Sequence, residues 1–379
     1  MSHPPKSIAR GRQRLFAAIA IVFGCGLGLA ILEFGLGQLR QRIETSDHLQ
    51  PGLTRYDARL GWRLNPGWQG RHVNRDFEAS YSINAGGTRG AAVEPAAAPA
   101  LVVYLGDSFT FGFGVPDGAT FADRLDRADR PNVRHLNFGV PGYSTDQALL
   151  LYRSDVAGLR PRRVVLIAYL GNDLIDNEQP FPLQARTGKP HFVLEGGELT
   201  LHNVPVPLRF KSPDEQRRSF GSLIAGPELG EAGRLARWLY NLETVRWLGL
   251  EWPPPADLEA RYGQRFATSM VLFDALTRQL QREVEGNGGQ FALVVLASRR
   301  HALAPETYAA RYQEFARRSL VTAFVGSDLV LIDAATALRA APASERLFFP
   351  HDGHLSEAGH QFLADLLASR LGQPTGRAH

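Results

Sequence analysis

A serine that directly follows an apolar strand is the first candidate for chemistry. Ser108 stands in the run Gly-Asp-Ser-Phe-Thr-Phe-Gly from Gly106 to Gly112, after an apolar stretch that ends at Leu105. In open parallel sheets, ligands bind at the carboxyl ends of the strands. A serine hydroxyl is a weak nucleophile at neutral pH, so it needs a base within hydrogen-bond reach and a third group that orients the base. With those partners present, the residues predict acyl transfer.

Both partners occur in one short stretch near the C-terminus. The run from Phe349 to Leu355 contains His351, Asp352 and His354. A histidine ring titrates near neutral pH, so it can take the serine proton and return it to a leaving group. A carboxylate bonded to the other ring nitrogen holds the ring in one tautomer. This stretch therefore supplies the candidate base and its orienting acid.

Two other strand ends offer donors for the negative charge that develops on a carbonyl oxygen. Gly139 lies in the run Asn137 to Gly142 after the second apolar strand, and Asn172 lies in Leu170 to Asp173 after the third. A glycine leaves its backbone N–H unobstructed, and an asparagine offers a side-chain amide. Loss of one such donor in known hydrolases costs roughly 2.7–4 kcal/mol of transition-state stabilisation. Together with the Ser108 N–H they form a predicted oxyanion hole.

In chain order, these motifs resemble the SGNH (GDSL) hydrolase superfamily. The chain has Gly-Asp-Ser, an isolated glycine, Gly-Asn-Asp and a C-terminal Asp/His pair. By this resemblance Ser108 is the nucleophile, Gly139 and Asn172 are oxyanion donors, His354 is the general base and Asp352 is its orienting acid. Each motif alone is weak, but four in the family's order are specific. We expect no cofactor and no metal.

The spacing of acid and base departs from the common family form. The family usually has Asp-x-x-His, whereas Asp352 precedes His354 by two residues, as in some polysaccharide O-acetylating relatives. Asp333, near the end of the last strand, is the alternative orienting acid. His351, His354 and His360 with Asp352 also suggest a metal site, but zinc sites usually have additional well-placed ligands. We therefore expect no metal ligand among them.

Five short apolar runs, mostly separated by helical stretches, indicate a parallel sheet covered on both faces. They are Leu101–Leu105, Val133–Phe138, Val164–Tyr169, Phe291–Leu296 and Leu329–Ile332. The resemblance covers roughly residues 100–372 and implies a three-layer α/β/α sandwich of the flavodoxin type. We interpret residues from about 176 to 252 as an insertion over the carboxyl edge of the sheet, with a hairpin around Glu195–Glu198 and a helix containing Arg234 and Tyr240. Apolar spacing from Leu258 to Val284 predicts one core-packing helix.

The N-terminal residues indicate a membrane anchor. The stretch from Leu15 to Leu32 carries no charge. As a helix, a stretch of this length nearly spans a hydrocarbon core of about 30 Å. Basic residues precede the stretch and mixed charges follow it, so the positive-inside rule places the N-terminus in the cytoplasm. A cleavable signal peptide and a lipidated Cys25 are the alternatives. The predicted order is a cytoplasmic tail at 1–14, a transmembrane helix at 15–36, a β-rich segment with an Ala/Pro linker at 37–99 and the hydrolase domain at 100–372.

Composition excludes several classes of function. A single cysteine leaves no internal disulfide and no cysteine-based metal cluster. Four of the basic residues lie in the first fourteen positions, and without them 38 basic residues stand against 38 acidic residues. That balance lacks the basic excess of nucleic-acid-binding proteins.

These observations predict a serine esterase that acts on a short acyl ester, a lipid ester or an acylated saccharide outside the cytoplasm, which is the periplasm in a Gram-negative bacterium. The alternative is an O-acetyltransferase in which a sugar hydroxyl of a polysaccharide replaces water. A second alternative is an inactive binding or assembly module. The anchored N-terminus, Leu60-Gly61-Trp62 and Asn84–Arg89 resemble membrane-tethered members found beside exopolysaccharide systems, so such machinery is the expected partner.

Overall fold

The computed structural model describes residues 6–44, 47–90, 100–216, 239, 242–248 and 256–372. The chain divides into two compact units, Met1–Asp47 with Pro227–Trp252, and His48–Gly226 with Pro253–His379. The predicted linker at 94–99 and the predicted helix residues Arg234 and Tyr240 lie outside the described residues.

Strands and helices are numbered in chain order within the described residues. The strands are β1 (His48–Leu49), β2 (Thr54–Asp57), β3 (Gly61–Leu64), β4 (Gln69–Val73), β5 (Glu78–Ser82), β6 (Leu101–Gly106), β7 (Arg134–Gly139), β8 (Arg163–Tyr169), β9 (His191–Glu195), β10 (Glu198–His202), β11 (Gln290–Leu296) and β12 (Val330–Asp333). The helices are α1 (Lys6–Glu44), α2 (Ser108–Phe111), α3 (Phe121–Asp129), α4 (Thr145–Leu151), α5 (Asp173–Asp176), α6 (Pro213–Gln216), α7 (Glu243–Trp247), α8 (Leu258–Arg265), α9 (Ala267–Gly286), α10 (Arg299–Leu303), α11 (Tyr308–Phe324), α12 (Ala334–Ala340) and α13 (Glu357–Leu371).

The smaller unit is built on the long helix α1. Gln13–Arg42 within α1 is long and apolar enough to cross a membrane, and none of its apolar window is buried in the protein. A membrane anchor and a signal sequence share these properties. The Glu33 carboxylate of α1 accepts hydrogen bonds from the backbone N–H groups of Glu243 and Thr244, at 2.5 and 2.9 Å, at the start of α7.

The larger unit contains a five-stranded parallel sheet in the order β12-β11-β8-β6-β7. All five strands predicted from the apolar runs are confirmed. The first strand of this sheet along the chain is β6. It pairs with β7 on one side and with β8 on the other side. The carboxyl ends of these strands therefore meet where the strand order reverses, which is where open α/β sheets bind ligands.

Residues that alternate along the sheet belong to two separate cores. On β6, Leu101, Val103 and Leu105 pack in the core that contains residues of α4, α9 and α11. Val102 and Tyr104 pack in the core that contains residues of α3, α12 and α13. Because helices cover both faces, the strands are apolar on both sides. The predicted three-layer α/β/α sandwich is confirmed.

The β-rich segment packs against the sheet. It contains the antiparallel pairs β2–β3 and β4–β5, with β1 added beside β4. Leu60, Trp62 and Tyr81 of this segment are buried in the same core as the first face of the sheet. Residues 48–90 therefore share a hydrophobic core with the hydrolase fold.

The predicted insertion contains the expected hairpin. β9 and β10 pair antiparallel across Gly196 and Gly197, which adopt φ values of +61° and +91°. A buried ion pair joins Lys189, just before β9, to Asp146 of α4, and neither side chain is exposed. Breaking such a pair leaves an uncompensated buried charge. Lys189, in the first part of the predicted insertion, is therefore fixed to the helical layer of the sheet.

The helix predicted over Leu258–Val284 is two helices. The backbone of Phe266 has φ −106° and ψ 14°, outside the helical range, and separates α8 from α9. Residues of α8 pack with Tyr312 in a small core of their own, whereas α9 packs on the sheet. The two halves bury their apolar faces against different partners, which explains the break.

Candidate active site

Ser108 begins the one-turn helix α2 immediately beyond β6. Gly106, at the end of β6, has φ +154°, and a Cβ there would lie 2.6 Å from the Ile167 carbonyl oxygen. Glycine is therefore required for this close strand contact. Asp107 caps α2 by accepting a hydrogen bond from the Phe109 N–H at 2.8 Å. This turn holds Ser108 at the carboxyl edge of the sheet.

Ser108, His354 and Asp352 form one hydrogen-bonded chain. The Nε2 atom of His354 lies 2.8 Å from the Oγ atom of Ser108. Its Nδ1 atom lies 2.5 Å from Oδ1 of Asp352. In this geometry the ring can accept the serine proton while the carboxylate fixes the tautomer and stabilises the positive charge that forms.

The Asp352 side chain is held as a carboxylate. Burial acts to raise the pKa of Asp352, but the hydrogen bond and the charge of His354 outweigh it and leave the pKa below its ordinary value. Oδ1 also accepts the His354 backbone N–H at 3.2 Å. The two-residue spacing therefore suffices for the contact.

Asp333, the alternative orienting acid, is committed elsewhere. Its Oδ2 accepts a hydrogen bond from Arg317 at 2.7 Å, and its Oδ1 accepts one from the Thr336 N–H at 3.0 Å, which caps α12. The ring nitrogen of His354 contacts Asp352 instead. The geometry favours Asp352.

His351 and His360, the other two histidines of the candidate cluster, have partners elsewhere. His351 bonds through Nδ1 to Oδ1 of Asp76 at 2.6 Å. His360 lies on α13, is fully buried, and accepts a hydrogen bond from the Phe121 N–H at 3.3 Å. Within the described parts of the chain, no group of three or more His, Cys, Asp or Glu side chains is placed to hold a metal ion.

The backbone N–H of Gly139 has a different partner from the one predicted. Its buried N–H donates to Oδ1 of Asn137 at 2.9 Å, and a Cβ at this position would lie 2.3 Å from the Phe111 backbone nitrogen. The glycine therefore allows β7 to approach α2, and the prediction that it offers a free N–H does not match the structure. Gly142, farther along the same loop, is half-buried with φ +82°, and its N–H has no hydrogen-bond partner among the described residues.

Asn172 follows β8 with its side chain buried. Its Nδ2 atom donates one hydrogen bond to Oδ2 of Asp176 at 2.8 Å. An amide nitrogen carries two hydrogens, so this bond orients the group and leaves the second N–H for another acceptor. The Ser108 N–H belongs to the first turn of a helix and lacks an intrahelical acceptor.

Two further carboxyl groups lie buried beside these loops. Burial raises the pKa of Asp107 to about 6. Burial and the charge of Asp107 raise the pKa of Asp173, whose Oδ2 accepts the Tyr169 N–H at 2.9 Å. Both groups therefore hold a proton at higher pH than exposed aspartates do.

Comparison with known proteins places the chain in a family. The sequence model of the GDSL-like lipase/acylhydrolase family matches residues 104–362, more than half of the chain. The chain belongs to this family. It is accordingly a carboxylic ester hydrolase of the GDSL type.

Solved structures of GDSL-family and related hydrolases match the chain at low identity, and no curated protein gives a match. An acetylxylan esterase from Geobacillus stearothermophilus, solved as a catalytic mutant, is 11% identical over 74% of this chain and 98% of that chain, with a TM-score of 0.38. The lipase/acylhydrolase from Enterococcus faecalis is 14% identical over 73% and 99%, with a TM-score of 0.38. A lipase from a goat rumen metagenome is 13% identical over 72% and 97%, with a TM-score of 0.40.

Proposed function

We propose that this GDSL hydrolase cleaves a carboxylic ester through an acyl-enzyme on Ser108. The hydrogen-bonded chain from Ser108 through His354 to Asp352 carries the proposal. His354 takes the hydroxyl proton as Oγ attacks the carbonyl carbon, and gives it to the alkoxide as the ester C–O bond breaks. Water then attacks the acyl-enzyme, with His354 as base, and the carboxylic acid leaves as Ser108 regains its proton.

The oxyanion is stabilised by donors from three loops. The Ser108 N–H and the second N–H of Asn172 retain their predicted roles in this proposal. Gly142 replaces Gly139 as the backbone donor, because the Gly139 N–H already bonds Asn137 while that of Gly142 has no partner among the described residues. Donors fixed before the reaction stabilise the charge without reorganisation.

Asn172→Ala is expected to lower kcat for p-nitrophenyl acetate about 10²- to 10³-fold, with a small change in KM, because an oxyanion donor acts mainly in the transition state. Asn287→Ala is the matched control, since that amide also donates one hydrogen bond, to the Tyr152 hydroxyl at 2.8 Å. Steady-state kinetics of both variants checks the assignment. An Asn172→Ala enzyme as active as the control would contradict the role.

The proposed substrates are small acyl esters, including O-acetyl groups on saccharides. The Asp-x-His spacing, shared with polysaccharide O-acetylating relatives, is the observation that favours transfer to a sugar hydroxyl as the second candidate. The two reactions share every step up to the acyl-enzyme. They diverge in whether water or a sugar hydroxyl attacks it.

One experiment separates hydrolysis from transfer. The full chain in detergent is incubated with p-nitrophenyl acetate and an unacetylated oligosaccharide, and free acetate and glycan mass are measured together. Hydrolysis releases acetate in equal amount to nitrophenol and leaves the glycan mass unchanged. Transfer instead adds acetyl groups to the glycan, and Ser108→Ala abolishes the product in either case.

We also propose that α1 anchors the enzyme with its catalytic unit outside the cytoplasm. The apolar stretch of α1 and the basic residues before it support this orientation. Alkaline phosphatase is active only outside the cytoplasm, so a fusion of this enzyme to the C-terminus of the protein should be active. An inactive fusion in cells that contain the full-length protein would indicate the opposite orientation.

A further inference from the structure

A carboxylate of the β-rich segment binds the loop that carries Asp352. Asp76 lies in the turn between β4 and β5, and its side chain is 3% exposed. Its Oδ2 accepts the backbone N–H groups of His351 at 2.6 Å and of Asp352 at 2.7 Å. Its Oδ1 lies 2.6 Å from Nδ1 of His351. One buried side chain thus makes three hydrogen bonds to two consecutive residues.

Asn74 connects the same turn to the Asp352 side chain. Its Oδ1 accepts the N–H groups of Asp76 at 2.8 Å and Phe77 at 3.1 Å, which closes the turn. Its Nδ2 donates to Oδ2 of Asp352 at 3.4 Å, whereas Oδ1 of Asp352 faces His354. Both carboxylate oxygens and the backbone nitrogen of Asp352 therefore have defined partners.

We propose that Asn74 and Asp76 are positioning residues for Asp352 and His354, so that the β-rich segment is a required part of the active site. The proposal rests on the proposed function of that site. Both residues precede the region that matches the family, which begins at residue 104. Neither touches the reacting atoms, and both act through the orientation of the Asp352 carboxylate.

The loop is closed by two backbone hydrogen bonds of its own, from the Phe349 N–H to the His354 carbonyl oxygen at 2.8 Å and from the Gly353 N–H to the Phe349 carbonyl oxygen at 3.2 Å, and Asp76 adds bonds from a distant part of the chain. His351 is 48% exposed, and Gly353 has φ +85°, a conformation that glycine adopts without strain. The bonds from Asp76 restrict the backbone on one side of this glycine. Burial acts to raise the pKa of Asp76, but the Asp352 and His351 N–H groups and the His351 ring lower it below its ordinary value. The Asp76 side chain is therefore charged at neutral pH.

The same segment also contacts two further loops of the site. Arg89 is buried and donates to the carbonyl oxygens of Phe111, at 2.7 Å, and of Gly112, at the end of α2. The Trp62 indole donates to the Pro141 carbonyl oxygen at 3.0 Å, next to Gly142. These contacts agree with a segment that supports the site as a whole.

Two variants and a matched control test the proposal. Asp76→Asn removes the charge with little change in volume. Asn74→Asp keeps the acceptor that closes the turn and places a second carboxylate against Asp352. Asp57→Asn is the control, because Asp57 also accepts two backbone N–H groups in this segment, from Arg59 at 2.8 Å and Leu60 at 2.9 Å.

We expect Asp76→Asn and Asn74→Asp each to lower kcat for p-nitrophenyl acetate roughly 10- to 100-fold with KM little changed, as displaced catalytic groups do. The low-field proton NMR signal of the His354 Nδ1–H should shift or broaden in both. Asp57→Asn should keep the kcat and the signal of the unmodified enzyme, whatever its effect on Tm.

Other results overturn the inference. If both site variants keep the kcat and the NMR signal of the unmodified enzyme, or if Asp57→Asn loses as much kcat as they do, Asn74 and Asp76 have no positioning role. Should Asp76→Asn fail to fold, Asn74→Asp decides by the same two measurements. Ser108→Ala measured in parallel separates the two claims, since an active Ser108→Ala enzyme would refute the proposed function itself.

Discussion

Ser108→Ala should lower kcat for p-nitrophenyl acetate on the order of 10⁴- to 10⁶-fold, because no acyl-enzyme can form without the hydroxyl oxygen. The residual rate comes from substrate binding and the oxyanion donors, which act without the nucleophile. KM should change little, since the serine hydroxyl stabilises mainly the transition state and contributes little to substrate binding. Hydrolysis followed at high enzyme concentration measures the remaining activity.

The control for this variant is a serine that plays no part in the site. Ser154 follows α4, and its hydroxyl bonds the Leu151 carbonyl oxygen at 3.4 Å. Ser154→Ala should keep full activity. A Ser108→Ala enzyme that hydrolyses ester at the control's rate would mean that another group attacks the carbonyl.

Asp352→Asn should lower kcat about 10⁴-fold, as loss of the orienting carboxylate does in serine hydrolases. An amide in place of the carboxylate can present its NH₂ group to Nδ1 of His354, which favours the wrong tautomer for proton uptake from Ser108. The unmodified contact is 2.5 Å long, so the variant retains the packing and loses the charge. Steady-state kinetics beside a thermal melt separates the catalytic loss from any loss of stability.

Asp333→Asn supplies the comparison that decides between the two acids. Asp333 pairs with Arg317 and caps α12, so its substitution should lower Tm while kcat stays within about twofold of normal. The opposite pattern, with Asp333→Asn inactive and Asp352→Asn near normal, would move the orienting role to Asp333.

Much of the fold was predictable from the sequence because burial on both faces produces a continuous apolar run. Leu101–Leu105 and Val164–Tyr169 are apolar throughout, since helices cover each side of β6 and β8. The order of the polar motifs at the strand ends also predicted that Ser108 and His354 meet. Parallel strands bring their carboxyl ends to one edge whatever the length of chain between them.

The sequence indicated a loop for the proposed oxyanion hole but did not show which backbone N–H group of that loop is free. The run Asn137–Gly142 contains two glycines, and nothing in their neighbours shows that the Asn137 side chain accepts the Gly139 N–H. The positive φ of Gly142 is likewise visible only in the fold. Backbone donors carry no side-chain signature, so their availability depends on contacts formed after folding.

The contacts of Asn74 and Asp76 were beyond sequence reasoning for a different reason. Asp76 bonds a residue 276 positions later, and no short motif links the two. An Asn and an Asp in a turn between strands also have an ordinary local explanation, because both favour turns.

The break between α8 and α9 was also not predictable from the sequence. The period of apolar residues from Leu258 to Val284 continues through Phe266, although the two halves pack on different partners.

Reaction with a fluorophosphonate tests the central claim most directly, because this reagent forms a stable adduct only with an activated serine. Intact mass and peptide mapping of the full-length protein should show one adduct, on Ser108, at a rate that falls strongly in His354→Ala and to zero in Ser108→Ala. An adduct on another residue would contradict the proposed nucleophile. No adduct at all, from a folded protein, would instead indicate an inactive binding module.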